Sequence, residues 1–173
     1  VSSISADLHK SGFAAKPAST VSFRTRELRE FARYTFDDWP SGVYSSLTFT
    51  GTRPGGAIAA AWAAMNFLGQ EGYREIAAAS MRAKQKTIDG LTAIEGVKVH
   101  GAPPLYAFSW AASGVDMGAV AGAMARRGFM CGQTTSPAGI HFMATPVHEA
   151  AADAYAAAAA ESIAEARAGG AVG

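Results

Sequence analysis

Ser3-Ile4-Ser5-Ala6-Asp7-Leu8-His9-Lys10 begins as an alternating segment and ends on a polar tetrapeptide. The alternation from Val1 to Ala6 predicts a short strand, which delivers Asp7-Leu8-His9-Lys10 at its C-terminal end. Open α/β sheets hold their ligands at that end of a strand. A lysine directly after a histidine, at the end of what reads as a buried strand, is unusual, because an ammonium is normally left where water reaches it. Spacing alone leaves two readings of Lys10: a solvated loop lysine, or a partly desolvated amine whose neutral form attacks an aldehyde.

Outward from this stretch, a turn containing Gly12 leads to a second short strand at Thr20–Arg24, close enough in sequence to pair antiparallel with the first or with its neighbour. Residues 24–34 are polar and read as a surface connection. From Phe36 to Gly56 the chain is aromatic and rich in Gly and Pro, which predicts a long ordered loop. That loop closes on Gly51-Thr52-Arg53-Pro54-Gly55-Gly56, immediately ahead of an alanine-rich helix from Ala57 to Leu68 in which Trp62 and Met65 are expected to be core. Gly69–Gly72 marks the seam between two units. Beyond it, Tyr73–Leu91 reads as a helix with Ile76, Met81, Ile88 and Leu91 inward and Arg74, Arg82, Lys84, Lys86 and Asp89 solvated. Strands are expected at 97–99, 105–112, 129–131 and 140–143, and helices at 117–126 and 149–167. That order describes a small sheet with helices packed on one face.

The chain has 173 residues, a formal net charge of +1 and one cysteine. A disulfide scaffold is excluded, and the balanced charge, with no like-charge run, lacks the footprint of a nucleic-acid binder. No stretch makes an uninterrupted apolar helix of about 20 residues, so no membrane span is expected. The lone thiol, Cys131, suits a reducing compartment, and a cytoplasmic location is expected. With Val1 first and no initiator Met, the chain reads as a piece of something longer.

Gly51–Gly56 has its own pair of readings. Glycines admit close backbone approach, the first helical N–H groups point outward, and Thr52 and Arg53 add a hydroxyl and a guanidinium, a set that suits a phosphate or carboxylate. The same residues also make a tight turn that merely starts a helix. An aldehyde-reactive lysine and a phosphate-suited loop together are what pyridoxal 5′-phosphate requires. Elsewhere, Pro146 prevents His141 and His148 from facing a metal from one helix, so they read as a strand and a helix-start histidine. His100 reads as a loop residue, Cys131 as an inert thiol, and Arg126-Arg127 as a pair at a helix C-terminus.

Ser3–Lys16, with Ser5-Ala6-Asp7-Leu8-His9-Lys10 at its centre, resembles the lysine signature of the group II pyridoxal-phosphate decarboxylases, in the sphingosine-1-phosphate lyase branch. Asp38–Ser46, Gly51–Ala57, Ala61–Met65 and Gly69–Tyr73 are similar to successive blocks of that branch, and Arg127-Gly128-Phe129 and Ile140–Pro146 resemble its C-terminal domain. The resemblance implies an α/β fold, the C-terminal part of a fold-type I PLP-dependent transferase. Residues 1–70 would be the end of the cofactor-binding large domain and 71–173 the small α+β domain.

It further implies that Lys10 carries the cofactor as a Schiff base and is the catalytic residue. His9 would lie against the cofactor phosphate, Asp7 would position the turn, and Thr52, Gly51 and Arg53 would reach the phosphate of a partner subunit's cofactor in a homodimer. Tyr44 and Ser45 would line the substrate pocket. The implied activity is cleavage of the Cα–Cβ bond of a phosphorylated amino alcohol, a small-molecule amine substrate. The alternatives are decarboxylation of an L-amino acid and a non-catalytic fragment, since the family's aspartate for the pyridine nitrogen lies outside these blocks. Ser11 and Pro17-Ala18 depart from the family pattern, so the turn leaving Lys10 is expected to differ.

Overall fold

The computed structural model describes residues 1–169, which form two compact units, residues 1–70 and 71 onward. In the first unit, β1 (Ser3–Ala6) pairs antiparallel with β2 (Thr20–Phe23), placing Ser3 opposite Phe23 and Ala6 opposite Thr20. Thr25 then caps a short helix, α1 (Arg26–Glu30), its hydroxyl accepting from the Leu28 N–H, with Glu27 in the first turn. The polar segment read as a plain connection therefore contains a helix, because its cap and first-turn acid outweigh its lack of an apolar stripe. β3 (Tyr34–Phe36) pairs with β4 (Tyr44–Ser46), Phe36 opposite Tyr44; β4 and the last residue of β3 fall in the segment expected to be loop, and β3 begins at the end of the segment read as a polar connection. A turn at Gly42, with φ 99°, and the hydroxyl bond between Thr35 and Ser45 across the strands at 3.3 Å account for this hairpin.

α2 (Gly55–Thr92) is interrupted at Gly69, whose φ of 60° and ψ of −176° are not helical. Two expectations about the first unit fail. All four residues of β1 are exposed rather than buried, and Trp62 and Met65 are 66% and 40% exposed rather than core. The cause is shared: two hairpins of three- and four-residue strands offer too little surface to cover a helix that is apolar on nearly every side.

The second unit carries a four-stranded antiparallel sheet in the order β5 (Val97–Val99), β6 (Ala107–Ala112), β8 (Ala138–Met143), β7 (Gly132–Thr135). α3 (Met117–Arg126) and α4 (His148–Gly169) pack against each other, and α3 also touches β7 and β8. The core comprises Trp110, Val120, Met124, Ile140, Ala159 and Ile163, with Leu91 from α2. Trp110 is fully buried; its Nε1–H donates to the Tyr155 hydroxyl at 3.1 Å, and the Tyr155 ring stands edge-on to Phe129, Phe142 and Trp110.

The strand expected at 129–131 lies instead at β7. Phe129 packs its ring on Tyr155, while the polar Gly132–Thr135 forms an edge strand whose pairing comes from its register with Ala138–His141 rather than from hydrophobicity. On α2 the buried positions are Ala61, Ser80, Ala83, Lys84, Thr87 and Leu91. Met81 is exposed, and Lys84, read as solvated, is buried: its stem lies along the core and its Nζ donates to the Pro103 carbonyl at 2.5 Å.

Asp116 caps α3 by accepting from the Gly118 and Ala119 N–H groups at 3.1 and 3.0 Å. Asp116→Ala is expected to cost about 1 kcal/mol, read as a lower urea midpoint at unchanged slope, with Asp116→Asn close to neutral.

Candidate active site

Backbone hydrogen bonds close the turn after β1: Lys10 N to Asp7 O at 3.1 Å, Phe13 N to Lys10 O at 3.0 Å, Ala14 N to Leu8 O at 2.9 Å and His9 N to Ala18 O at 3.0 Å. Gly12 is required here, because a Cβ at that position would stand 2.6 Å from Leu8 O and 2.8 Å from Leu8 Cα, both backbone atoms. Gly12→Ala is therefore expected to displace the turn, costing roughly 1–3 kcal/mol. Backbone amide shifts should change across residues 7–18; unchanged shifts there would contradict this geometry.

Asp7 sits between two partners. One carboxylate oxygen pairs with Lys10 Nζ at 2.6 Å, and the other accepts the Ser19 hydroxyl at 2.6 Å. The hydrogen bonds from Lys10 and then Ser19 hold the Asp7 carboxyl down at about 2. Because the folded value lies below the ordinary 3.8, the pair's contribution is complete above that value and is lost as pH falls toward about 2. His9 Nδ1 donates to the Ala18 carbonyl at 2.8 Å, which leaves Nε2 of the neutral ring unprotonated. The Lys10 side chain is 65% exposed, so the desolvation expected of a Schiff-base amine is not supplied by these residues. What distinguishes this lysine is the carboxylate beside it.

The remaining expected residues lie on β4 and the loop before α2. Gly51 has φ 64°, and a Cβ on it would meet the Tyr44 hydroxyl at 2.8 Å, so Tyr44 and Gly51 are in contact. Thr48 Oγ1 donates to the Gly51 carbonyl at 3.1 Å, while Thr52 and Arg53 are exposed ahead of the α2 N-terminus. Ser45 is held by Arg33 Nη1 at 3.2 Å and Thr35 Oγ1 at 3.3 Å. The structure thus gathers Asp7, His9 and Lys10 in one turn and Tyr44, Gly51, Thr52 and Arg53 around another. Asp7 and His9 make no hydrogen bond to the second group among the described residues.

Sequence reading missed Ser19, although the β1–β2 register signals it: with Thr20 opposite Ala6, Ser19 falls beside Asp7. It also missed a concavity of about 940 Å³ in the first unit, lined by Ser19, Arg24, Arg26, Arg29 and Arg53 and by no acidic side chain. In the second unit, His148 Nδ1 accepts the Thr145 N–H at 2.9 Å, and partial burial raises the Cys131 thiol above its ordinary value. Arg126 and Arg127 pair with Glu165, and Arg127 also with Glu161.

These residues fit the two reactive ends of pyridoxal 5′-phosphate. An accessible amine and a histidine stand in one turn, and an exposed hydroxyl and guanidinium stand in another. The residues described supply no wall for the ring.

No family model matches the chain. A sphingosine-1-phosphate lyase of Arabidopsis thaliana is 35% identical over 148 residues, 86% of this chain and 27% of the relative. The solved Burkholderia pseudomallei sphingosine-1-phosphate lyase superposes with a TM-score of 0.88 at 32% identity, covering 96% of this chain and 38% of that one. The chain is a homologue of the sphingosine-1-phosphate lyases. A probable L-tyrosine/L-aspartate decarboxylase of Methanocorpusculum labreanum is 37% identical over 93 residues, 54% of this chain and 25% of the relative, which extends the kinship to the wider group II pyridoxal-phosphate decarboxylase family. This sphingosine-1-phosphate lyase homologue spans about a quarter of the length of the curated relatives it matches. Its fold is the C-terminal part of a fold-type I pyridoxal-phosphate enzyme, the family's cofactor being pyridoxal 5′-phosphate.

Proposed function

We propose that this chain is the cofactor-lysine portion of a pyridoxal-phosphate-dependent carbon–carbon lyase acting on a phosphorylated amino alcohol. The observation that carries the reading is the Lys10 amine at the C-terminal end of β1, held by Asp7 and accessible to a carbonyl. The lyase homology supports the substrate class. When bound, the cofactor supplies an electron sink for the pair left at Cα as the Cα–Cβ bond breaks. The substrate's β-hydroxyl loses its proton and becomes the carbonyl of the aldehyde product, and a proton returns to Cα to give an aminoalkyl phosphate.

The chain's own residues serve that chemistry in distinct ways. Lys10 is the attachment point and, once displaced by substrate amine, holds a proton at Nζ beside Asp7. His9 offers Nε2 toward the cofactor phosphate, donating when the ring is protonated. Thr52 and Arg53 offer a hydroxyl and a guanidinium to a phosphate in a partner subunit of a homodimer, and Tyr44 and Ser45 flank substrate. Sharing of that kind across a two-fold axis would build each site from both chains. Residues 1–70 belong in this proposal to the large cofactor domain and those from 71 onward to the small domain. No helix among the described residues is long and apolar enough to cross a membrane, and the unpaired Cys131 supports a cytoplasmic location.

The decarboxylase relative supports amino-acid decarboxylation as the second reading. Incubating the protein that carries this chain with pyridoxal phosphate and a phosphorylated sphingoid base, and separately with aromatic and acidic L-amino acids, separates them. Release of a long-chain aldehyde is the expected result; carbon dioxide from an amino acid with no aldehyde would establish the second reading instead.

A further inference from the structure

We propose that Ser19 is a positioning residue for Lys10, acting through Asp7. The geometry is a relay gripped at both ends: the Ser19 hydroxyl holds one oxygen of Asp7 at 2.6 Å and Lys10 Nζ holds the other at 2.6 Å. A carboxylate bound at only one oxygen turns easily about its last torsion, which is broad and two-fold. Bound at both, its plane is set, and the lysine at the far end of a flexible stem has one preferred place for its ammonium.

Ser19 is itself well placed to act as the fixed point. It follows Ala18, one of the few buried residues of the first unit, and Ala18 offers one carbonyl to both the N–H and the Nδ1–H of His9, at 3.0 and 2.8 Å. The next residue, Thr20, is locked opposite Ala6 in the β1–β2 ladder and returns a hydroxyl bond to the Ala6 carbonyl at 3.3 Å. The Ala18-Ser19 pair is thus a template on which Asp7 and His9 are both seated, and Lys10 is seated through Asp7. The charged groups that act on Asp7 are Lys10 and His9, and Ser19 Oγ lies 3.5 Å from His9 Nδ1. Removing the hydroxyl frees one carboxylate oxygen, loosens the grip on the ammonium and lets Lys10 react as the neutral amine at lower pH.

The inference deepens the Schiff-base reading of Lys10, and its test does not depend on that reading. The full chain, without cofactor, is labelled with trinitrobenzenesulfonate across a pH series, and modification of the Lys10 peptide is followed by mass spectrometry. Asp7→Asn is expected to shift the labelling midpoint of Lys10 downward by removing the facing charge, Ser19→Ala to shift it in the same direction by less, and Ser19→Thr to restore the wild-type profile. In an Asp7→Asn background, Ser19→Ala is expected to add nothing further. A Ser19→Ala profile identical to wild type, or one fully additive with Asp7→Asn, overturns the proposal. A carbon-13 titration of the unmodified chain gives a check that needs no variant: Asp7 is expected to titrate at about 2, and a midpoint at the ordinary 3.8 overturns the relay.

Discussion

Replacing Lys10 with alanine in the protein that carries this chain is expected to abolish the visible absorbance that pyridoxal phosphate gains on binding, and to lower turnover by roughly 10³-fold or more. The size of the effect follows from the role. In the proposed role Lys10 provides the atom that condenses with the aldehyde, and it stands at the end of β1 beside a carboxylate and a histidine. Lys10→Arg should fail equally, since a guanidinium stays protonated and is no nucleophile at neutral pH. Retention of most activity in Lys10→Ala would leave the turn as a structural feature only.

Trp110→Ala is expected to have the largest effect on stability, about 3–5 kcal/mol. Trp110 is fully buried on β6, opposite Val99 on one side and Ile140 on the other. Truncation opens a cavity at the centre of the sheet and removes the indole partner of the Tyr155 hydroxyl, leaving it only the weak contact with the Cys131 thiol at 4.0 Å. Against a typical net stability of about 5–15 kcal/mol, a loss of this size leaves the second unit partly unfolded at moderate urea. Trp110→Phe keeps most of the ring volume and should lose less. A midpoint shift equivalent to under about 1 kcal/mol would mean that the surrounding side chains collapse into the space.

The parts of this fold that were legible in the sequence are those whose local signals agree. α3 begins and ends where the pattern places it, because Asp116 caps a run of small and apolar residues and Arg126 closes it. β1 and β2 pair as their alternation and short connection suggest. The failures share a different cause: they depend on what lies across from a residue. Trp62 and Met65 look like core by composition, yet burial needs an opposing surface, and the two small hairpins provide little. Lys84 looks solvated by type, yet a carbonyl at Pro103 makes its burial tolerable. β7 is too polar to be read as a strand, since its pairing comes from the partner strand and the turn.

The site divides in the same way. Lys10, His9 and Asp7 lie within four consecutive residues, so one turn was enough to suggest their chemistry. Ser19 joins them only through the strand register, and the exposure of Lys10 is visible only once β1 is seen uncovered. Gly51 and Tyr44 meet because the β3–β4 hairpin folds Tyr44 back over the loop, a contact that no local pattern encodes.

The most direct test of the account is to add pyridoxal phosphate to the protein that carries this chain, reduce with borohydride and map the modified peptide by mass spectrometry. The account predicts a single irreversible adduct on Lys10. An adduct confined to other lysines, or no adduct at saturating cofactor, would contradict it.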